Sequence, residues 1–243
     1  EGNSGVKEEE VEEGILPAGR KSRDDKNTGV YSAASKKYQN DAKVTRLLHL
    51  DSDVLFSLCP AEDKLFTVKK SGNVEVTFGE RPIKEDINNA YNIFQGNVEY
   101  NVNRNLLVYS NMVFPYVAIY KQTGNEKWEQ VTELKGEWDY SISEGKLKFA
   151  SSSPKGASEL ALTEDYIVLL QRDYAVEEFI PRERTGRDPS TLPKSLFVYD
   201  YKLNLKKIIN MPFNILRLCG DTESNTIYAI GMNPDFELIN IKL

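Results

Sequence analysis

Histidine, methionine and cysteine are scarce in this sequence: one His, three Met and two Cys in 243 residues. The shortage of histidine confines any catalytic triad, imidazole metal site or imidazole general base to His49 alone. His49 sits in Thr45-Arg46-Leu47-Leu48-His49-Leu50, an apolar strand context in which a structural role is expected. Cys59 and Cys219 lack Cys-x-x-Cys spacing and so make no zinc site; a disulfide between them stays open. Gly-x-Ser-x-Gly, the Walker loop, His-Glu-x-x-His and the EF-hand pattern are all missing. Their spacings are strict, so the common motif-bearing enzyme classes lose support.

Basic charge is also short. Lysine and arginine number 31 against 37 acidic residues, a net charge of −6, and the pI is near 5.1. No basic stripe appears, so no nucleic-acid partner is expected. Uninterrupted apolar stretches such as Leu106 to Tyr109 are far too short to span a bilayer, so no transmembrane segment and a soluble mature chain are expected. The chain opens at Glu1 without Met and without a charged-then-apolar leader, which is expected where a signal sequence was removed or never cloned.

What is present favours strands. Thirteen Tyr and ten Phe suit a pleated, half-buried surface, and 40% hydrophobic with 28% charged residues is ordinary for a globular chain. Residues 1–43 stand apart. They carry an acidic run from Glu8 to Glu13, broken only by Val11, then a mixed-charge stretch from Arg20 to Lys26, and read as a solvated polar arm. Residues 44–243 form the expected single β domain. Val74, Val76 and Phe78 alternate with Glu75 and Thr77, placing three apolar side chains on one face of a strand. Ile239, Ile241 and Leu243 alternate in the same way, so the final residues are expected to be paired in a sheet.

An internal repeat decides the architecture. Phe66-Thr67-Val68, Ala118-Ile119-Tyr120 and Phe197-Val198-Tyr199 are each followed, five positions after the last strand residue, by an Asn: Asn73, Asn125 and Asn204. The pattern is a β-hairpin with a Gly or Asn turn, returning along Val74 to Phe78, Trp128 to Leu134 and Leu205 to Met211. Two hairpins follow another strand pair, Gly96 to Tyr100 with Leu106 to Ser110, and Glu159 to Leu162 with Tyr166 to Leu170. Four strands per unit make a β-propeller blade; ordinary hairpins of a sandwich are the alternative. The last unit supplies Ile215 to Cys219, Thr226 to Ile230 and Phe236 to Ile241, and an early strand within Val44 to Leu50 is expected to complete it, because open edges are a liability.

The segments LFTVKKSGNVEVTFGERP, FQGNVEYNVNRNLLVYSNMVFPYVAIYK, LTEDYIVLL and SLFVYDYKLNLKKIINM, with the closing NTIYAIGMNPDFELINIKL, resemble the TolB-like six-bladed propellers of Bacteroides-type bacteria. The resemblance runs from Val44 to Leu243 and is closest over Leu196 to Leu243. The turn Phe78-Gly79-Glu80-Arg81-Pro82 departs from the family's Gly- and Pro-rich turn. The resemblance implies an all-β propeller of six four-stranded antiparallel blades. About four full units are countable, at spacings beyond the roughly 40 residues of a compact blade; six blades then require either that the chain has lost part of its length or that parts of residues 1–43 and 135–157 form degenerate blades.

The resemblance also implies a bacterial cell envelope location, in the periplasm or at the outer-membrane surface, with room for a lipid anchor upstream of Glu1. Six-bladed propellers include calcium-dependent lactonases and hydrolases that hold their metal with Glu, Asn and Asp from inner strands, and hard cations want several converging oxygens. The matching candidates here are Glu99, Asn101 and Glu159, with Arg217 opposing a cation; if Glu99 and Arg217 face the axis, they are expected to pair. The segment from Arg172 to Lys194 carries Arg182, Arg184, Arg187, Tyr174 and Phe179, residue types that favour interfaces, a solvated surface loop being the alternative of equal weight. Trp128 and Trp138 are expected in the core, stacking on a sugar being the alternative. The expected function is a non-catalytic binding or scaffolding propeller with a protein or carbohydrate ligand and no cofactor. A calcium-dependent hydrolase or lactonase working in the central channel is the alternative.

Overall fold

The computed structural model describes residues 46–51, 54–58, 60, 63–70, 75–124, 127–172, 192–232 and 235–243. The arm at 1–43, Cys59, the Gly72-Asn73 turn, Asn125, Arg182 and Arg184 lie outside the described residues.

Short strands follow one another in antiparallel sheets. The first sheet runs β1 (Arg46–Asp51), β2 (Val54–Leu58), β3 (Lys64–Lys70), β4 (Glu75–Glu80). The second runs β5 (Gly96–Asn101), β6 (Leu106–Asn111), β7 (Tyr116–Gln122), β8 (Trp128–Lys135). Between these two sheets lies a one-turn helix, α1 (Ala90–Ile93). After a two-stranded ribbon, β9 (Tyr140–Ser143) and β10 (Lys146–Phe149), the third sheet runs β11 (Ala157–Leu162), β12 (Tyr166–Gln171), β13 (Ser195–Asp200), β14 (Leu205–Asn210). The fourth has three described strands, β15 (Asn214–Asp221), β16 (Thr226–Met232) and β17 (Phe236–Lys242).

The first strands of the sheets stand side by side in the order β1, β5, β11, β15, and among the described residues no extensive packing joins β1 to β15. Each sheet therefore lays its faces on its neighbours. Along β6, Leu107 and Tyr109 join the core shared with the first sheet, while Leu106 and Val108 join the core shared with the third. Along β7, Tyr116, Ala118 and Tyr120 face one way and Val117 and Ile119 the other. This is why the middle strands read as unbroken apolar runs rather than alternating ones: both faces are buried. The first core is aromatic. Phe66 meets Tyr120 edge-on at 5.2 Å, and Phe78 stacks on Trp128 at 5.1 Å with the rings 7° from parallel.

Two glycines set the spacing between sheets. A Cβ on Gly156 would lie 2.0 Å from the Asn111 carbonyl oxygen, and one on Gly220 would lie 1.9 Å from that of Leu162. A side chain at either position would push a first strand away from its neighbour.

The structure corrects two expectations. β1 does not complete the last sheet; it pairs with β2, Arg46 opposite Leu58 and Asp51 opposite Val54. Closing a hairpin over so short a connection costs far less chain entropy than crossing the whole domain. Residues 135–157 form no four-stranded blade, because among the described residues their strands β9 and β10 pair only with each other. The ribbon is held by Asn89, whose side chain donates to the Leu147 carbonyl (2.9 Å) and accepts from its amide (3.0 Å). Cys219, whose pairing the sequence left open, is a free, exposed thiol.

Candidate binding surfaces

The inner surface of the row is charged. β1 contributes Arg46, β5 Asn97 and Glu99, β11 Glu159 and β15 Arg217. Arg46 Nη2 donates to Asn97 Oδ1 at 2.9 Å, and the Asn97 amide reaches the Ala157 carbonyl at 3.4 Å, so this buried side chain ties three adjacent first strands. Arg217 Nη1 donates to Glu159 Oε1 at 2.9 Å.

Glu99 is accessible to solvent, yet the surrounding inner strands strip much of the hydration its carboxylate needs. That burial pushes its pKa up to about 7; Arg46 pulls the other way and Glu159 adds to the rise. Burial raises Glu159 as well, against the attraction of Arg217 and Arg46. The surface therefore sets two neighbouring carboxyl groups between two flanking guanidiniums.

Asn101, also expected here, is taken up by the structure. It is buried, and its amide donates to the Thr163 carbonyl (3.2 Å) and to Tyr201 Oη (2.7 Å) while its Oδ1 accepts from the Arg104 amide (3.1 Å). Around it the turns of three sheets are laced together. Arg104 donates to the Glu164 carbonyl and to Asp165, and its guanidinium lies 4.6 Å from the centre of the Tyr201 ring. Asn225 extends the lattice to the fourth sheet through Thr163 and Asp165.

The expected pairing of Glu99 with Arg217 is not made. β15 stands beside β11 and not beside β5, so Glu159 is the carboxylate within reach. Both tryptophans belong to the core: Trp128 is buried, and Trp138 packs partly buried against Phe114 at 4.9 Å.

A second surface, missed in the sequence, lies on the outward face of the last sheet. Strand registry puts Cys219 opposite Tyr228 and Arg217 opposite Ile230, and then Ile230 opposite Leu238 and Met232 opposite Phe236. The other face, with Leu218, Ile227 and Ala229, is buried against the third sheet. The outward face is bare: Leu238 is 78% exposed and Phe236 67%, with Tyr228 and Ile230 exposed beside them. Along the outer edge of β17 no strand is paired among the described residues. The signal was in the sequence, since the strand alternates apolar residues on both parities, but nothing local says which parity finds a neighbour.

Among solved structures, the chain is similar to the β-propeller domain of Cps50 (Swd1) from Myceliophteria thermophila, with a TM-score of 0.51 and 7% identity over 86% of this chain and 57% of that one. The fold is that of a β-propeller. The WD40 propeller domain of Doa1 also matches, at a TM-score of 0.36 and 10% identity, over 82% of this chain and 66% of that one. The propeller described here thus spans 57% of the Cps50 domain's length. No protein-family pattern matches the chain, and no curated protein matches it. No helix among the described residues is long and apolar enough to cross a membrane.

Proposed function

We propose that this propeller is a non-catalytic binding and scaffolding module that takes a protein partner on the outward face of its last sheet. The observation carrying the reading is the apolar patch of Tyr228, Ile230, Phe236 and Leu238, bare on a sheet whose other face is packed against the third sheet. Exposed apolar patches of this kind mark protein contacts in soluble chains. The edge of β17, unpaired among the described residues, offers the partner a row of backbone donors and acceptors, so the occupant is a β-strand or sheet with an apolar face. It would stand where a further sheet of the row would stand, and the Cps50 propeller, of which 57% is matched, has more chain than the part aligned. A carbohydrate ligand is less well served, because both tryptophans are withdrawn into the core. The sequence segments that resemble TolB-like propellers support membership of that group and a place in a bacterial cell envelope, with a lipid anchor upstream of Glu1 as a companion expectation.

The test is to pan a random-peptide display library against the intact chain. Selected peptides should alternate apolar residues and lose binding to Leu238→Glu. Selection of peptides that bind Leu238→Glu as well as the wild type would overturn the reading.

One observation favours a hydrolase instead: a carboxyl group near pKa 7, as at Glu99, holds and releases a proton at neutral pH. The residues fit a calcium ion poorly. Among the described residues no three acidic, His or Cys side chains converge, and the guanidiniums of Arg46 and Arg217 flank the two carboxyl groups. Ester and lactone hydrolysis that disappears in Glu99→Gln would establish this second reading in place of the first.

A further inference from the structure

Between the second and third sheets the shared core does not close completely. At the end of these sheets nearest Ser110 and Gln171 it opens into a cleft of about 280 Å3. One wall is a cross-strand row on the second sheet, Ser110 opposite Val117 and Val117 opposite Leu134. The facing wall carries Leu169 and Phe197, which pair across β12 and β13. Ala157 closes the inner end. The room exists because Ser110 and Ala157 are small where Leu106, Val108, Leu160 and Leu162 fill the rest of the same interface.

Ser110 is the unusual member of the lining. It is fully buried, shares strand parity with Leu106 and Val108, and so points toward the third sheet; yet its hydroxyl has no hydrogen-bond partner. Two neighbouring polar groups donate elsewhere. Gln171 donates to the Lys155 carbonyl at 2.6 Å, and the Tyr116 hydroxyl donates to Glu133 at 2.8 Å. Buried hydroxyls are normally satisfied, so an orphan one at the wall of an apolar cleft marks a position where something else supplies the bond.

We propose that this cleft is a binding site for a small planar ring bearing one hydrogen-bonding group, of the phenol class, with the ring between Val117, Leu134, Leu169 and Phe197 and its polar group on Ser110 Oγ. The size agrees: an apolar cavity of about 150 Å3 already accepts benzene, so the larger cleft holds a substituted ring. The chemistry also agrees, since the apolar walls supply contact area and the hydroxyl supplies orientation. This site is separate from the outward face of the last sheet and does not depend on it.

The test uses 4-methylphenol and toluene as probes, with binding to the intact chain followed by ligand-observed NMR and by thermal shift. The wild type should bind 4-methylphenol more tightly than toluene, by up to about tenfold, the worth of one hydrogen bond. In Ser110→Ala that preference should vanish while toluene binding and thermal stability are kept, because an unpaired buried hydroxyl is removed. In Leu134→Trp, with the cleft filled, both probes should be lost. Absence of 4-methylphenol binding in the wild type, a preference that survives Ser110→Ala, or unchanged binding in a folded Leu134→Trp would each overturn the proposal.

Discussion

Arg217 and Glu159 form an ion pair, 2.9 Å from Nη1 to Oε1, across the first strands of the fourth and third sheets. The Arg217 side chain is 55% exposed and that of Glu159 14%, so solvent screens one end of the pair and its net worth is about 1 kcal/mol or less. Its electrostatic effect is clearer than its stability. Arg217→Met should raise the Glu159 pKa beyond its already elevated position, because burial then acts without the opposing guanidinium. Carboxyl-carbon NMR titration reads the shift; a lowered pKa would contradict the pairing.

Glu99 makes stability depend on pH. Its folded pKa of about 7 lies above the ordinary 4.5, so between these values the folded state holds a proton that the unfolded state has released. Stability from this group is present below about pH 4.5 and falls as pH rises toward 7. Glu99→Gln should remove that loss. Its melting temperature should exceed the wild type's at pH 8 and match it at pH 4, and equal melting at both would refute the raised pKa.

Gly220→Ala should destabilise strongly. The new methyl would sit 1.9 Å from the Leu162 carbonyl oxygen, which is backbone and cannot swing aside. A cost of about 3 kcal/mol in denaturant unfolding is expected, against a negligible effect at Gly124, where a Cβ meets nothing within 4 Å.

Asn101→Ala should also cost about 2 kcal/mol, because the Thr163 carbonyl, Tyr201 hydroxyl and Arg104 amide lose a buried partner. Unfolding midpoints that stay within error of the wild type would show that the lattice of turns is dispensable.

The strands were legible because apolar runs and Gly or Asn turns report local structure. The stretch Leu106 to Ser110 became β6, and Thr226 to Ile230 lies within β16. Turn detail was less legible. The third hairpin was read from its Asn204, yet Leu203 takes the left-handed backbone, φ 62°, while Asn204 bonds back to Asp200. The β9–β10 ribbon had a signal that went unread: Glu144-Gly145 between alternating strands, both at positive φ. The inner-surface pairing was illegible. Which carboxylate Arg217 meets depends on the order of first strands in space, and no local pattern states that β15 neighbours β11. The place of β1 failed for the same reason, since edge closure is a global argument and the short β1–β2 connection a local one.

The central claim, that the last sheet carries the binding surface, is tested most directly by amide hydrogen exchange on the intact chain with and without a peptide selected against it. Protection should rise along β17 (Phe236–Lys242), the edge unpaired among the described residues, and along β16 beneath the apolar patch. Protection that rises instead along β5 and β11, beside Glu99 and Glu159, would place the site on the inner surface and contradict the account.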